Sequence, residues 1–317
     1  MRSSHLKLLL IVFSLCLVSG CRVVSARLYN SRGLQAYDKG DYAVALENFN
    51  QAIRLFPTFA EAYTNRGLVY SAQRHYDLAI ADHDHAIMLK PTLAIAFNNR
   101  GHVFYKKGDY STAITDFNQA LKLNPKLVSA LGNRGLTQLA MGEPDKAIAD
   151  FDQAIRFEPK GAIAWCNRGL AHFHKAEYDE ALRDLNESLR LQPSLVAALG
   201  NRGAVYYEKK EYETAIHDLD EAIRLSPSDD KALQTRGWSH EKLGDFDLAL
   251  ADFEKLLSLI PDSIEGHLGR GMCYGQKGEK ELATTDFQWV MDNSTLPEDK
   301  EIARIYLHDL NTNKLQR

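Results

Sequence analysis

Cysteine is scarce: four residues in 317, at positions 16, 21, 166 and 273, which is no basis for a disulfide-rich scaffold. Basic charge is not in excess either. The net charge of −4 argues against nucleic acid as the main partner, because phosphate binding needs a basic surface. No segment beyond the N-terminus approaches the roughly 20 consecutive apolar residues of a membrane-spanning helix. Zinc-ligand spacings, a glycine-rich phosphate loop and a nucleophile elbow are all missing, so no catalytic, cofactor-binding or metal-binding residue is nominated. His83 and His85, like His172 and His174, stand two apart; on a helix such residues diverge by about 200°, so neither pair chelates one metal. What remains is ordinary for a soluble folded protein, with 45% hydrophobic and 25% charged residues. The length exceeds what one core usually supports and points to two domains or a repeat array.

The array is legible directly. Gly33, Gly67, Gly101, Gly135, Gly169, Gly203, Gly237 and Gly271 recur every 34 residues, each preceded by an arginine. An alanine column (Ala45 to Ala283) and a proline column (Pro57 to Pro261) keep the same interval. In residues 94–127 the pattern predicts a first helix from Phe97 to about Lys107. Gly108-Asp109 ends it, because glycine accepts the left-handed conformation after a helix. A second helix runs from Ser111 to Leu123, and Pro125 blocks its continuation. A mid-helix glycine costs about 1 kcal/mol against alanine. Eight of them therefore require a reason, namely a close crossing of the two helices against the alanine column. Aspartates from Asp82 to Asp286 follow the arginines by sixteen residues, with Asn48 the exception in the first repeat. These predict Arg–carboxylate pairs, within one hairpin or to the preceding one.

A 34-residue period with this Gly, Ala and Pro pattern resembles the tetratricopeptide repeat family. The resemblance implies an all-α fold: a right-handed α-solenoid of eight helix-turn-helix hairpins (26–59, 60–93, 94–127, 128–161, 162–195, 196–229, 230–263 and 264–297). A capping helix and tail follow at 298–317. Thr295 and Glu298 match a capping box, and Ile302, Ile305, Tyr306 and Leu310 are expected to form the helix's inner face. Cys166 and Cys273, three repeats apart, lie too far from each other for the Cα separation of about 7 Å that a disulfide allows, so both are expected to be free thiols.

By the same resemblance, the first helices line a concave groove that receives a peptide or a partner's helix. Asn65, Asn99, Asn133, Asn167 and Asn201 match the family's groove asparagines; an amide offers both donor and acceptor to an extended main chain, or else braces the neighbouring hairpin. Leu136, Leu139, Ile163, Leu170, Phe173, Ala204 and Tyr207 supply an apolar stretch, with Gly132 and Gly200 leaving room. The set that grips a C-terminal carboxylate in one family subtype is absent, since Asn30 and Leu34 stand where its first Lys and Asn belong.

The N-terminus carries a separate signal. Arg2 and Lys7 precede an apolar run from Leu8 to Val18, the length of a secretory signal core. Val18-Ser19-Gly20-Cys21 then resembles a bacterial lipoprotein box, which implies cleavage before Cys21 and lipidation of that residue. Residues 1–20 are thus read as a signal peptide and 21–25 as a lipidated N-terminus with a short tether. The resemblance implies a lipid-anchored location in the cell envelope. Arg22, where an inner-membrane lipoprotein often has Asp, favours the outer membrane facing the periplasm in a Gram-negative cell. The expected role is a protein-interaction adaptor, not an enzyme, with a protein or peptide partner. The alternatives are a homo-oligomeric scaffold or a non-lipidated secreted or cytosolic co-chaperone.

Overall fold

The computed structural model describes residues 22–312, and it is all-α throughout. The chain divides into two compact units, one ending at Glu158 and the other starting at Pro159. The first contains α1 (residues 22–38), α2 (Tyr42–Leu55), α3 (Ala60–Ala72), α4 (Tyr76–Leu89), α5 (Ala94–Lys106), α6 (Tyr110–Leu123), α7 (Val128–Ala140) and α8 (Pro144–Phe157). The second contains α9 (Ala162–His174), α10 (Tyr178–Leu191), α11 (Val196–Glu208), α12 (Tyr212–Leu225), α13 (Asp230–Leu243), α14 (Phe246–Leu259), α15 (Ile264–Gln276), α16 (Lys280–Asn293) and α17 (Pro297–Asn311). Within each unit, odd and even helices pair as hairpins, and each hairpin stacks on the next through its second helix. This is the repeat architecture of an α-solenoid segment.

The turn inside every hairpin has the same backbone. Gly40, Gly108, Gly142, Gly244 and Gly278 have positive φ, and so do Arg74, Ala176 and Lys210 in the same column. The left-handed residue closes the first helix, and an aspartate next to it can open the second: Asp109 Oδ1 accepts the Thr112 N–H at 3.1 Å.

The glycine column is explained by its neighbours sixteen residues on. A Cβ on Gly33 would meet the Phe49 ring at 2.5 Å, and one on Gly203 would meet Leu219 Cγ at 2.6 Å. The crossing is therefore made against a ring or leucine of the second helix. The alanine column comes close only through backbone, as with the Ala215 carbonyl 3.3 Å from the Gly203 position. Phe49, Phe117, Phe151, Leu185, Leu219, Phe253 and Phe287 fill this site and are fully buried; each stabilises by about 1.5–3 kcal/mol. His83 takes the site in the second hairpin, equally buried, with neither ring nitrogen hydrogen-bonded.

Of the two pairings expected for the arginine column, the structure makes the one within the same hairpin. Seven arginines, from Arg66 to Arg270, fork onto the aspartate of their own hairpin through Nε and Nη2 at 2.6–2.9 Å. Nη1 of several reaches back to the preceding hairpin: Arg66 to Asn50 and Arg100 to Asp84 at 2.6 Å, Arg202 to Asn186 at 2.7 Å. Hydrogen bonding to the paired aspartate raises the pKa of Arg66, Arg100, Arg202 and Arg270, so the cation is locked in. Each side chain that makes both contacts ties three helices together.

Three expectations need correction at the ends. Residues 22–25, read as a tether, are already helical, since no glycine or proline interrupts α1 before Gly33. The N-cap of α17 is Leu296 followed by Pro297, in place of a Thr295–Glu298 box; Ser294 Oγ accepts the Leu296 N–H at 3.1 Å and donates to Asp299 at 2.6 Å. Finally, Ala303 and Leu310 form the buried face of α17 with Tyr306 and Leu307 beside them, whereas Ile302 and Ile305 are 41% and 51% exposed. The two candidate faces lie one residue apart, and the small Ala303, which permits close approach to α16, selects the second.

Candidate peptide-binding groove

In the second unit, the first helices of three successive hairpins, α9, α11 and α13, line a concavity of about 620 Å³. That volume is ample for a bulky side chain and its flanking main chain. Its floor is α11, where Gly200 and Ala204, one turn apart, are both small. A Cβ placed on Gly200 touches nothing, so packing within the chain gives no reason for a helix-weakening residue there. Leu170 and Phe173 of α9 form one wall, and Thr235 and Trp238 of α13 the other. Tyr207 closes one end.

The walls are held from behind. Phe173 packs on Tyr178 at 6.1 Å between ring centroids, Tyr207 on Tyr212 at 5.6 Å, and Trp238 edge-on to Phe253 at 4.9 Å. Such backing lowers the ordering cost of binding. Burial raises the pKa of Tyr207, so its phenol remains protonated and able to donate.

The asparagine column divides by unit. In the first, Asn65 Nδ2 donates to Asn30 at 2.9 Å and Asn133 Nδ2 to Asn98 at 3.1 Å, while buried Asn99 accepts from Asn98 at 3.0 Å. These three brace neighbouring side chains. In the second unit, Asn201 reaches only the thiol of Cys166 at 3.5 Å, a weak acceptor, and Asn167 carries no side-chain hydrogen bond among the described residues. Both line the concavity. For Asn201 the difference lies 35 residues upstream, where Cys166 stands in place of Asn30 and Asn98.

The structure thus brings Asn167, Asn201, Leu170, Phe173 and Tyr207 together. Leu136 and Leu139 belong to the first unit, and Ile163 is 63% exposed and outside the lining. Trp238, Gln234 and Thr235 were missed by sequence reasoning, although Trp238 shares the column of Leu136, Leu170 and Ala204 and could have been read from it. Cys21 lies outside the described residues.

Burial pushes the Cys166 thiol up to about 11, far from a nucleophile at neutral pH. His172 is bonded to Glu177 at 2.7 Å, and His85 lies against the Tyr63 ring at 4.3 Å. Both described cysteines, Cys166 and Cys273, are free and buried. Among the described residues no cluster of His, Cys, Asp and Glu is grouped to hold a metal, and no helix is long and apolar enough to cross a membrane.

Comparison with known proteins agrees with this architecture. No curated protein matches the sequence. Among solved structures, a chain of the APC/C hetero-tetramer Cut9–Hcn1 superposes with a TM-score of 0.73 at 18% identity, over 84% of this chain and 52% of that one. This chain therefore spans about half the length of that relative. PilF of Pseudomonas aeruginosa gives 0.57 at 20% identity, over 67% of this chain and 96% of its own. Both are likenesses of fold. Family profiles described as tetratricopeptide or TPR repeat match residues 33–73, 60–93, 94–127, 133–195, 196–229 and 230–263. With its hairpins, turns and glycine crossings in that pattern, the chain belongs to the tetratricopeptide repeat family.

Proposed function

We propose that this protein is a non-catalytic adaptor that captures an extended segment of a partner protein in the concavity between α9, α11 and α13. The observation that carries this reading is the pairing of unsatisfied amides with unoccupied space. Asn167 and Asn201 have hydrogen-bonding capacity left over, and Gly200 between them leaves the helix backbone open to close approach. Asn167 and Asn201 bind main chain, and Leu170, Phe173, Tyr207 and Trp238 enclose one large apolar side chain. Panning a random peptide library on the purified protein tests this. Enriched peptides are expected to lose binding to Gly200→Leu and keep it with Gly132→Leu. That control is the same change in the same column of another hairpin, also in open space. Equal binding to both variants overturns the assignment.

The adaptor is held at a cell-envelope membrane by a lipid on Cys21. The supporting observation is the apolar run Leu8–Val18 closed by Ser19-Gly20-Cys21. Fatty-acid labelling of cells is expected to mark the wild type and not Cys21→Ala; equal labelling of both, or none, contradicts the anchor.

A further inference from the structure

The outward face of α1 is unlike any other surface of the first unit. Each later first helix there packs on the second helix of the hairpin before it, and no described hairpin precedes α1. Val24 and Leu28 consequently stand 69% and 51% exposed. At 100° per residue they fall on one stripe with Ser31 and Gln35, flanked by Arg27 on one side and Arg32 on the other. Arg22 begins the same helix on its opposite side. All three arginines are exposed, and none makes a hydrogen bond or close ion pair among the described residues. Arg32 lies 5.7 Å from the Tyr29 ring and lacks the column aspartate, which is Asn48 in this hairpin. Arg27 senses Glu61, whose carboxylate is taken by Lys90 at 2.7 Å. From residue 22 to 37 the sequence contains no acid, within a chain whose net charge is −4; Asp38 is the first.

We propose that this face of α1 is a docking surface for the anionic headgroups of a lipid bilayer. An apolar stripe between two arginines suits the interface: Val24 and Leu28 enter the acyl boundary while the guanidinium groups of Arg27 and Arg32 hold phosphates at its level. Arg27 and Arg32 stand about 7.5 Å apart along the helix. Charge selects lipid over an apolar protein partner, and a lipid on Cys21, the residue before α1, would hold the face next to a membrane. The inference rests on the envelope-membrane reading above and adds an orientation to it: the array lies against the bilayer through its first helix.

Vesicle flotation with the full chain tests it, comparing neutral phosphatidylcholine vesicles with vesicles containing one-quarter phosphatidylglycerol. At low salt the anionic vesicles are expected to bind tighter by a factor of about twenty-five, roughly fivefold for each of the two arginines. High salt should remove most of that preference. Substituting Arg27 and Arg32 together with Gln should reduce it to about twofold or less at an unchanged thermal midpoint, since both are exposed; replacing them with Lys should keep most of it. A second variant, Val24→Ser with Leu28→Ser, should weaken binding to both vesicle types and leave the salt dependence intact. Equal binding of the wild type to both vesicle types, or an undiminished preference in the Gln variant, overturns this inference and leaves the membrane anchor standing. No binding to either contradicts the anchor itself. Retention on immobilised polyglutamate without any vesicle preference assigns the face to an acidic protein and likewise overturns the lipid reading.

Discussion

Replacing His83 with Phe should stabilise the protein, and by an amount that grows as pH falls. His83 fills the site that Phe occupies in five other hairpins; it is fully buried against Gly67 and has no partner for either ring nitrogen. A buried polar group without a hydrogen bond costs about 1–3 kcal/mol, and phenylalanine removes that cost at any pH. Burial, with a smaller contribution from Arg100, also pushes the imidazole down from 6.5 to about 3. In the unfolded chain the same imidazole takes up a proton below about 6.5. Stability associated with His83 is therefore present above pH 6.5 and is lost progressively as pH falls toward 3. At pH 5 the loss is about 2 kcal/mol, from 1.5 pH units at about 1.4 kcal/mol each. The gain in His83→Phe should thus be about 1–3 kcal/mol at pH 8 and about 2 kcal/mol larger at pH 5. Urea unfolding followed by circular dichroism at the two pH values measures both. Carboxylates titrate alike in the two proteins and cancel in the difference. A variant no more stable than the wild type, or a gain that does not increase toward pH 5, refutes the reasoning.

Three further outcomes follow from the packing. Gly203→Ala should destabilise by about 1–3 kcal/mol because its Cβ meets Leu219 at 2.6 Å, whereas Gly200→Ala on the same helix, in open space, should stabilise by about 0.5–1 kcal/mol; thermal melts of the pair decide it. Ala176→Gly should raise stability by about 0.5–1 kcal/mol, since Ala176 holds φ at 57° in a column where five hairpins use glycine. Arg100→Lys keeps the charge and loses the fork to Asp116 and the third bond to Asp84, and should cost about 1.5–3 kcal/mol by urea denaturation.

Most of the fold was legible because each column repeats the same physical demand eight times. The glycine and the turn each state a contact that recurs in every hairpin, and the arginine–aspartate spacing of sixteen states one that recurs in seven. The partner of the glycine was harder to read. Alanine marks the second helix at a constant position, but the side chain four residues beyond it varies between Phe, Leu and His, so its column is visible in space more clearly than in sequence. The third bond of the arginines was missed, although Asn50, Asp84, Asn118, Asn186 and Asp220 form a column of their own. For the site, one column of asparagines serves two purposes. Whether Asn65, Asn133 and Asn201 brace or stay available depends on a residue 35 positions earlier, Asn30 and Asn98 against Cys166, and a reading repeat by repeat does not compare those positions. The cap was misread because Ala303 is too small to announce a buried face beside two isoleucines.

The central claim is that the hollow over α11 holds a partner's chain. Site-specific photo-cross-linking in intact cells reads it directly, with the photoreactive residue placed at Ala204 in the hollow and, for comparison, at exposed Leu78. A discrete adduct from position 204 that disappears when Gly200→Leu fills the space, with no equivalent adduct from position 78, is the result predicted. An adduct from 204 that persists with Gly200→Leu, or labelling that is the same from both positions, contradicts it.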